Sequence, residues 1–282
     1  MNPPRSCTRY RVSTLLLLWG LFVHTALPVG AQTPVSPQRT VWPPQPGRIL
    51  EGGRWLFRQD FNDNLAGTLT IEVGTFLWDG FKLVPQGPLH QYVSPVTCWS
   101  ENGLVRIRNG VAAFDGNAYM ACTFDLAAAF KQAGIAVLSD SLWHDIFTID
   151  VGVQQMADTL TPGEAPLFFH PDARFAVQPK NGQNTLSTTL NQYGAVTTGN
   201  APASAMLSSR LDCLLDKQCK ITHFVNGSTI GNTPFFNMAD GGIKISTAPV
   251  TIYIGYNPTT NTHFQGSLDF LEVDPPKITP LN

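Results

Sequence analysis

The sequence predicts an all-β domain: a two-sheet antiparallel β-sandwich of the jelly-roll type with one short helix. Apolar and polar residues alternate over several short segments, which is the period of a half-buried strand. Glycine, proline and asparagine-glycine turn signals separate these segments. Only one stretch, 125–134, combines an aspartate cap, an alanine run and a glycine stop, the signature of a helix.

The clearest strand signals lie near the C-terminus. Residues 219–225 alternate and end at Asn226-Gly227, a pair that tolerates the positive φ values of a type I′ hairpin turn. Residues 250–256 alternate again, which predicts Tyr256 on the same face as Ile252 and Ile254. A third segment, 266–273, is predicted to be the closing strand.

Three short motifs in this region carry a family resemblance. They are the V-N-G at 225–227, the I-G at 254–255 and FQGSLD at 264–269, with a fainter F-D-G at 114–116. Together they resemble the C-terminal half of laminin-G-like domains of the concanavalin-A-like lectin/glucanase superfamily. The resemblance implies a β-sandwich and a place among sugar-binding and glycan-cleaving proteins. Two cysteines replace the tryptophan and histidine usual before the V-N-G strand, which leaves the subfamily open.

The N-terminal segment has the composition of an export signal. Arg5, Arg9 and Arg11 precede an apolar run from Val12 that ends in small residues at 29–31. This pattern predicts a signal peptide over 1–31, cut after Ala31. A membrane anchor is the alternative, and it is disfavoured because the run is short. The mature chain is therefore expected to be secreted or extracellular, without membrane insertion after cleavage.

The rest of the chain is predicted to form one domain. Residues 32–47 hold five prolines without periodicity and predict an extended linker. The laminin-G-like sandwich is assigned to 48–274 and a C-terminal tail to 275–282. The chain has 18 basic residues, three of them in the leader, against 20 acidic ones. No cluster of lysine and arginine suggests a phosphate-binding surface, so nucleic-acid binding is not expected.

Four cysteines follow the leader: Cys98, Cys122, Cys213 and Cys219. In an exported chain an even number suggests disulfides, and four cysteines allow three connectivities. Local geometry favours Cys213–Cys219 across a hairpin turning at Asp216. It also favours Cys98–Cys122, which closes a loop over one intervening strand pair. A zinc site is disfavoured because no close C-x2-C pair is present.

One turn has the chemistry of a weak calcium site. Asp60, Asn62 and Asp63 supply side-chain oxygens after a predicted strand, and related sandwiches often carry a structural calcium. The same residue types are ordinary turn formers and the EF-hand spacing is absent, so an ordinary turn is the favoured interpretation. No other cofactor is expected.

Two aromatic residues beside turn signals are candidate ligand contacts. Trp78 precedes Asp79 at an Asp-Gly turn, and Tyr256 precedes Asn257 before a proline. An aromatic ring at such a place can stack on the apolar face of a pyranose, while a nearby Asp or Asn binds hydroxyl groups. Packing in the core or in a hairpin is the alternative for both pairs.

The acidic residues do not form a catalytic pattern. Glycoside hydrolysis needs two facing carboxyl groups, and only Glu272 and Asp274 are two residues apart with a glutamate among them. No catalytic residue is therefore assigned. The sequence favours a secreted non-catalytic binding module for a glycan or cell-surface component. The alternatives are a structural or interaction protein of the cell envelope and a glycan-active hydrolase or lyase of the same superfamily.

Overall fold

The computed structural model describes residues 46–62, 65–79, 83–157, 163–180, 183–196, 200–214, 217–238, 241–276 and 278–281. These residues contain one helix, α1 (Leu126–Gln132), and many strands. The strands are β1 (Ile49–Gln59), β2 (Gly67–Trp78), β3 (Leu83–Pro85), β4 (His90–Val96), β5 (Cys98–Glu101), β6 (Arg106–Arg108), β7 (Val111–Asp115), β8 (Tyr119–Phe124), β9 (Ser141–His144), β10 (Ile146–Met156), β11 (Ala165–His170), β12 (Ala173–Lys180), β13 (Gln183–Leu190), β14 (Tyr193–Val196), β15 (Ala205–Cys213), β16 (Gln218–Val225), β17 (Ser228–Asn232), β18 (Phe236–Asn237), β19 (Ile243–Ser246), β20 (Val250–Ile254), β21 (Tyr256–Asn257), β22 (Thr262–His263), β23 (Gln265–Asp274) and β24 (Thr279–Pro280).

Most of these strands belong to two antiparallel sheets. The larger sheet follows the order β17-β16-β15-β10-β23-β1-β2-β3, with β4, β6, β7, β18 and β24 paired beside this path. The smaller sheet has seven strands in the order β14-β13-β12-β11-β20-β8-β5. Strand β20 enters the smaller sheet between β8 and β11, so a C-terminal segment lies among strands from much earlier in the chain.

The hydrophobic core lies between the two sheets. Trp55 and Phe57 of β1 project from the larger sheet, and their ring centroids are 5.6 and 5.9 Å from that of Phe124 on β8. Ile252 and Leu271 are fully buried in the same cluster, one from each sheet. The predicted two-sheet β-sandwich is confirmed.

The predicted turn after residue 225 is confirmed. Strands β16 and β17 form a hairpin in which Val225 lies opposite Ser228. Asn226 and Gly227 between them have φ values of 50° and 77°. Positive φ at both central positions is the requirement of a type I′ turn, which asparagine and glycine satisfy at low steric cost.

The predicted helix is also present. Asp125 caps α1, and its side chain accepts a hydrogen bond of 2.9 Å from the backbone N–H of Ala128. Gly134 follows the helix with a φ of 77°, the left-handed conformation expected of a helix stop. Phe130 and Leu126 bury the apolar side of the helix in the core.

Both disulfides that the local geometry favoured are formed. Cys98 on β5 lies directly opposite Cys122 on β8, and Cys213 on β15 lies directly opposite Cys219 on β16. The loop that the first bridge closes contains the paired strands β6 and β7. The predicted turn at Asp216 lies outside the described residues.

The predicted signal peptide and the predicted C-terminal tail lie at the two ends of the chain, and the structure describes residues only of the second. Residues 1–45, with the predicted signal peptide and most of the linker, lie outside the described part, so export stays a prediction. In the segment expected to be a tail, Ile278 is buried and Thr279 lies opposite Gly53. These residues extend the domain because β1 offers them a pairing edge. Within the described ranges, no helix is long and apolar enough to cross a bilayer.

Candidate ligand-binding face

The first predicted ligand contact, Trp78, belongs to the core. Its side chain is 3% exposed and packs in a small apolar cluster with Phe76, Leu83 and Ile278. A buried ring has no face to offer a sugar. Core packing, the alternative at this position, therefore describes Trp78, while Asp79 is exposed just after β2.

The two residues of the second predicted contact, Tyr256 and Asn257, have different environments. Tyr256 stacks on Tyr119 with ring centroids 4.1 Å apart. Asn257 is buried, donates to Glu164 Oε1 at 3.2 Å and accepts from the backbone N–H of Thr259 at 3.0 Å. Its amide is thus engaged inside the protein. Of this pair, only Tyr256 keeps a place near the surface.

The expected orientation of Tyr256 is wrong, and Gly255 explains the error. Gly255 has a φ of 78°, and a Cβ there would lie 2.8 Å from the ring of Phe114. This left-handed residue ends the alternation after Ile254. Tyr256 therefore lies beside Tyr253 and Tyr119, whereas the prediction grouped it with the core residue Ile254.

These tyrosines belong to a cluster on the outer surface of the seven-stranded sheet, which we term the aromatic face. Alternation along the strands sets the surface apart, since Cys122 and Ile252 point into the core while Ala121 and Tyr253 point away from it. The aromatic face comprises Trp99, Tyr119, Phe169, Tyr253 and Tyr256.

A single cross-strand row runs through the aromatic face. In order across the sheet, the residues of this row are Trp99, Ala121, Tyr253, Phe169, Arg174 and Thr189. Trp99 is 36% exposed, Ala121 is fully buried and Tyr253 is half-buried. Ala121 has no exposed surface, so Trp99 and Tyr253 are the members of this part of the row that a ligand can contact.

Glu101 fixes the aromatic face at its β5 end. Its Oε1 accepts a hydrogen bond from Trp99 Nε1 and its Oε2 accepts one from Tyr119 Oη, each at 2.6 Å. The bond from Tyr119 and then the bond from Trp99 lower the pKa of the Glu101 carboxyl. Burial and the Glu101 contact raise the pKa of the Tyr119 hydroxyl. Glu101 is therefore a charged acceptor that orients two rings.

A different set of carboxylates occupies the outer surface of the larger sheet. Ile149, Leu271 and Val273 point into the core, so Asp150, Glu272 and Asp274 lie on the opposite side. We term these three acids the acidic face. Burial is the largest cause that raises the pKa of each of them.

The predicted calcium turn has no assembled ligand set in the residues that can be described. Asp60 lies 3.5 Å from Arg58 Nε in an exposed ion pair, and Asp63 lies outside the described part. Among the described histidines, cysteines and acids, no group of three is arranged to hold a metal ion. Calcium at this turn stays a prediction.

Sequence reasoning missed most of the aromatic face, although one signal pointed to it. The disulfide between Cys98 and Cys122 sets a register in which Glu101 lies opposite Tyr119. Trp99 and Glu101 then share the surface opposite to the cystine. Phe169 and Arg174 had no comparable signal, because their position depends on the order of strands in the sheet.

Comparisons with known proteins give little further information. No family model matches this chain, and no curated protein matches it. The laminin-G-like assignment therefore stays a prediction from the sequence motifs.

Several solved structures resemble the chain at low identity. One is domain 4 of AbnA, a GH43 extracellular arabinanase from Geobacillus stearothermophilus in complex with arabinotriose, at 13% identity and a TM-score of 0.39, covering 82% of this chain and 96% of that one. The Emp47p carbohydrate recognition domain matches at 10% identity and a TM-score of 0.37, and the match covers 64% of this chain and 89% of that one. Alginate lyase Aly36B matches at 11% identity and a TM-score of 0.34, and the match covers 60% of this chain and 80% of that one. Scores this low say nothing about the ligand or activity of this chain.

Proposed function

We propose that this protein is a non-catalytic binding module for a glycan and that the aromatic face is its binding surface. The observation that carries the proposal is the row in which Trp99 and Tyr253 flank the buried methyl group of Ala121. The backbone positions of Trp99 and Tyr253 are about 10 Å apart, because two strand spacings separate them. Aromatic rings at a shallow surface stack on the apolar faces of sugars.

Hydroxyl groups beside the rings supply the polar part of the proposed surface. Thr123 and Thr251 lie opposite each other on β8 and β20, next to the aromatic row. Thr123 is exposed and Thr251 is half-buried. Sugar recognition combines such hydrogen-bonding groups with apolar stacking, so the face has both components.

The carboxylates favour binding over hydrolysis. A glycosidase needs one carboxyl group held protonated by a raised pKa. Glu101 has a lowered pKa and both of its oxygens accept hydrogen bonds. Asp115, the last residue of β7, also has a lowered pKa because the N–H groups of Ala118 and Asn117 donate to it. The acids with raised pKa lie on the other sheet.

The proposal includes export and a laminin-G-like subfamily. Two disulfides support an oxidising compartment, where such bonds persist. The V-N-G, I-G and FQGSLD motifs support the subfamily. The expected location is extracellular, with a glycan or another cell-surface component as the partner.

A glycan array followed by affinity measurement tests the binding function. Trp99→Ala should weaken binding about fivefold or more, since truncating an aromatic anchor costs at least about 1 kcal/mol. Tyr92→Ala is the matched control, because Tyr92 is 38% exposed on β4 of the larger sheet and should leave the affinity unchanged.

Two results would contradict the proposal. If the wild-type protein binds no sugar on the array, with calcium either present or chelated, a structural or interaction role in the cell envelope replaces it. If incubation with labelled polysaccharides releases shorter products, the protein is a glycan-active enzyme.

A further inference from the structure

We infer that the aromatic face prefers acidic glycans, because Arg174 is positioned on it to bind a carboxylate or sulfate group of the sugar chain. The inference rests on the proposed glycan-binding function and specifies the class of glycan. It concerns a residue that no sequence motif singled out.

Arg174 continues the aromatic row on β12. Its neighbours across the sheet are Phe169 on β11 and Thr189 on β13. The guanidinium carbon lies 4.8 Å from the centroid of the Phe169 ring. A guanidinium at this distance is held over the ring by a cation–π interaction, which leaves N–H groups around its rim to donate to a ligand.

The positive charge of Arg174 is not neutralised by an ion pair in the described part of the chain. Arg54, Arg58 and Arg210 of the larger sheet each form an ion pair with a carboxylate, whereas no described carboxylate lies within 4.0 Å of the Arg174 guanidinium nitrogens. A half-buried cation with unoccupied donors is a binding element for an anion.

Two acids close to members of this row along the chain, Asp172 and Glu101, are already engaged. Asp172, two residues before Arg174, accepts hydrogen bonds from the backbone N–H of Ser246 at 2.9 Å and from Asn191 Nδ2 at 3.5 Å. Both oxygens of Glu101 are occupied by Trp99 and Tyr119. Neither acid therefore competes with a ligand for the guanidinium donors.

The spacing along the row suits a chain of sugars. Trp99 on β5 and Arg174 on β12 are separated by four strand spacings, about 19 Å. Phe169 is only 6% exposed, so a glycan lying across the strands contacts the rings of Trp99 and Tyr253 and reaches Arg174, which lies over the Phe169 ring, with one of its acidic groups. The planar fork of arginine binds two oxygens of a carboxylate or sulfate at once.

Binding to polymers that differ only in charge tests the inference. The probes are polygalacturonate and its fully methyl-esterified form, which compare carboxylate with ester, and dextran sulfate and dextran, which compare sulfate with hydroxyl. Titration calorimetry should give wild-type protein at least a tenfold lower Kd for one or both acidic polymers than for the neutral counterpart. Added salt should weaken only the acidic interaction.

Variants of the full chain then locate the preference. Arg174→Gln should remove the difference between acidic and neutral polymers, and Arg174→Lys should keep the salt-dependent attraction at a lower affinity because it lacks the fork. Arg108→Gln is the matched control, since it removes one exposed positive charge from β6 of the larger sheet and should change nothing. Thermal unfolding verifies that each variant folds.

The outcomes separate the inference from the proposed function. If wild-type protein binds neutral and acidic polymers equally, or if Arg174→Gln keeps the preference, the inference is overturned while glycan binding stands. If Arg174→Gln fails to fold, the wild-type protein alone tests the inference. An affinity for the acidic polymers that does not fall with added salt then overturns the preference for acidic glycans. If no polymer binds and the array is also silent, the proposed function fails together with the inference.

Discussion

On the aromatic face Glu101 has a lowered pKa, whereas on the acidic face the pKa values of Asp150, Glu272 and Asp274 are raised. The difference follows from hydrogen-bond donors. Two side chains donate to Glu101, while burial dominates at the three acids of the larger sheet. A carboxylate on a sheet surface is therefore kept charged or pushed toward neutrality by its immediate neighbours.

The largest expected effect comes from deleting the ring that connects Glu101 to the tyrosine cluster. Tyr119 is 7% exposed, stacks on Tyr256 and donates to Glu101. Tyr119→Ala should lower the free energy of unfolding by about 3 kcal/mol, because it removes a buried aromatic ring. Urea unfolding at neutral pH measures this change.

Tyr92 provides the contrast on the larger sheet. Its ring is 38% exposed on β4, so Tyr92→Ala should change the free energy of unfolding by less than about 0.5 kcal/mol. Equal losses in the two variants would contradict the view that the aromatic face is a packed cluster.

A smaller effect isolates the hydrogen bond to Glu101. Tyr119→Phe keeps the ring and should lower the free energy of unfolding by about 1 kcal/mol or less, since solvent partly screens the half-buried carboxylate of Glu101. Glu101 has a lowered folded pKa, so its contribution is present above the unfolded pKa and is lost as pH falls through the folded pKa. The variant and wild type should therefore converge in acid.

The measurement is a side-chain NMR titration of Glu101 beside urea unfolding at several pH values. The Glu101 pKa should rise toward its ordinary value in Tyr119→Phe. An unchanged pKa would show that the hydroxyl does not hold the charge on this carboxyl.

The smallest expected change in the free energy of unfolding comes from the acidic face, and it is a gain in stability where the other substitutions cause a loss. Asp274 has a raised folded pKa, mainly through burial, so its contribution is present below the unfolded pKa and is lost as pH rises through the folded pKa. Asp274→Asn should therefore raise the free energy of unfolding at neutral pH by about 0.5 kcal/mol. Urea unfolding in acid should show no gain, and a loss at neutral pH would contradict the comparison.

Local signals in the sequence predicted what depends on neighbouring residues. Asn226 and Gly227 adopt the positive φ values that their turn type demands. Asp125 caps the helix that its sequence context indicated. The pairing of Cys98 with Cys122 followed from one intervening strand pair. Each of these features is decided within a short segment of chain.

Features that depend on distant contacts were not predicted. The face occupied by Tyr256 changes at Gly255, which has a left-handed backbone and lies so close to Phe114 that a side chain would clash there. Core packing of Trp78 was one of the sequence alternatives, but its contact with the cluster that includes Ile278, from the other end of the chain, was not predicted. Phe169 meets Tyr253 because β20 enters the sheet beside β11, and periodicity does not encode strand order.

The insertion of β20 between β8 and β11 also bears on biosynthesis. A chain that ends before residue 250 contains Trp99 and Phe169 but lacks Tyr253, the ring that separates them across the sheet. Under the proposed function, a glycan that stacks on both Trp99 and Tyr253 is retained only by a chain that extends through β20.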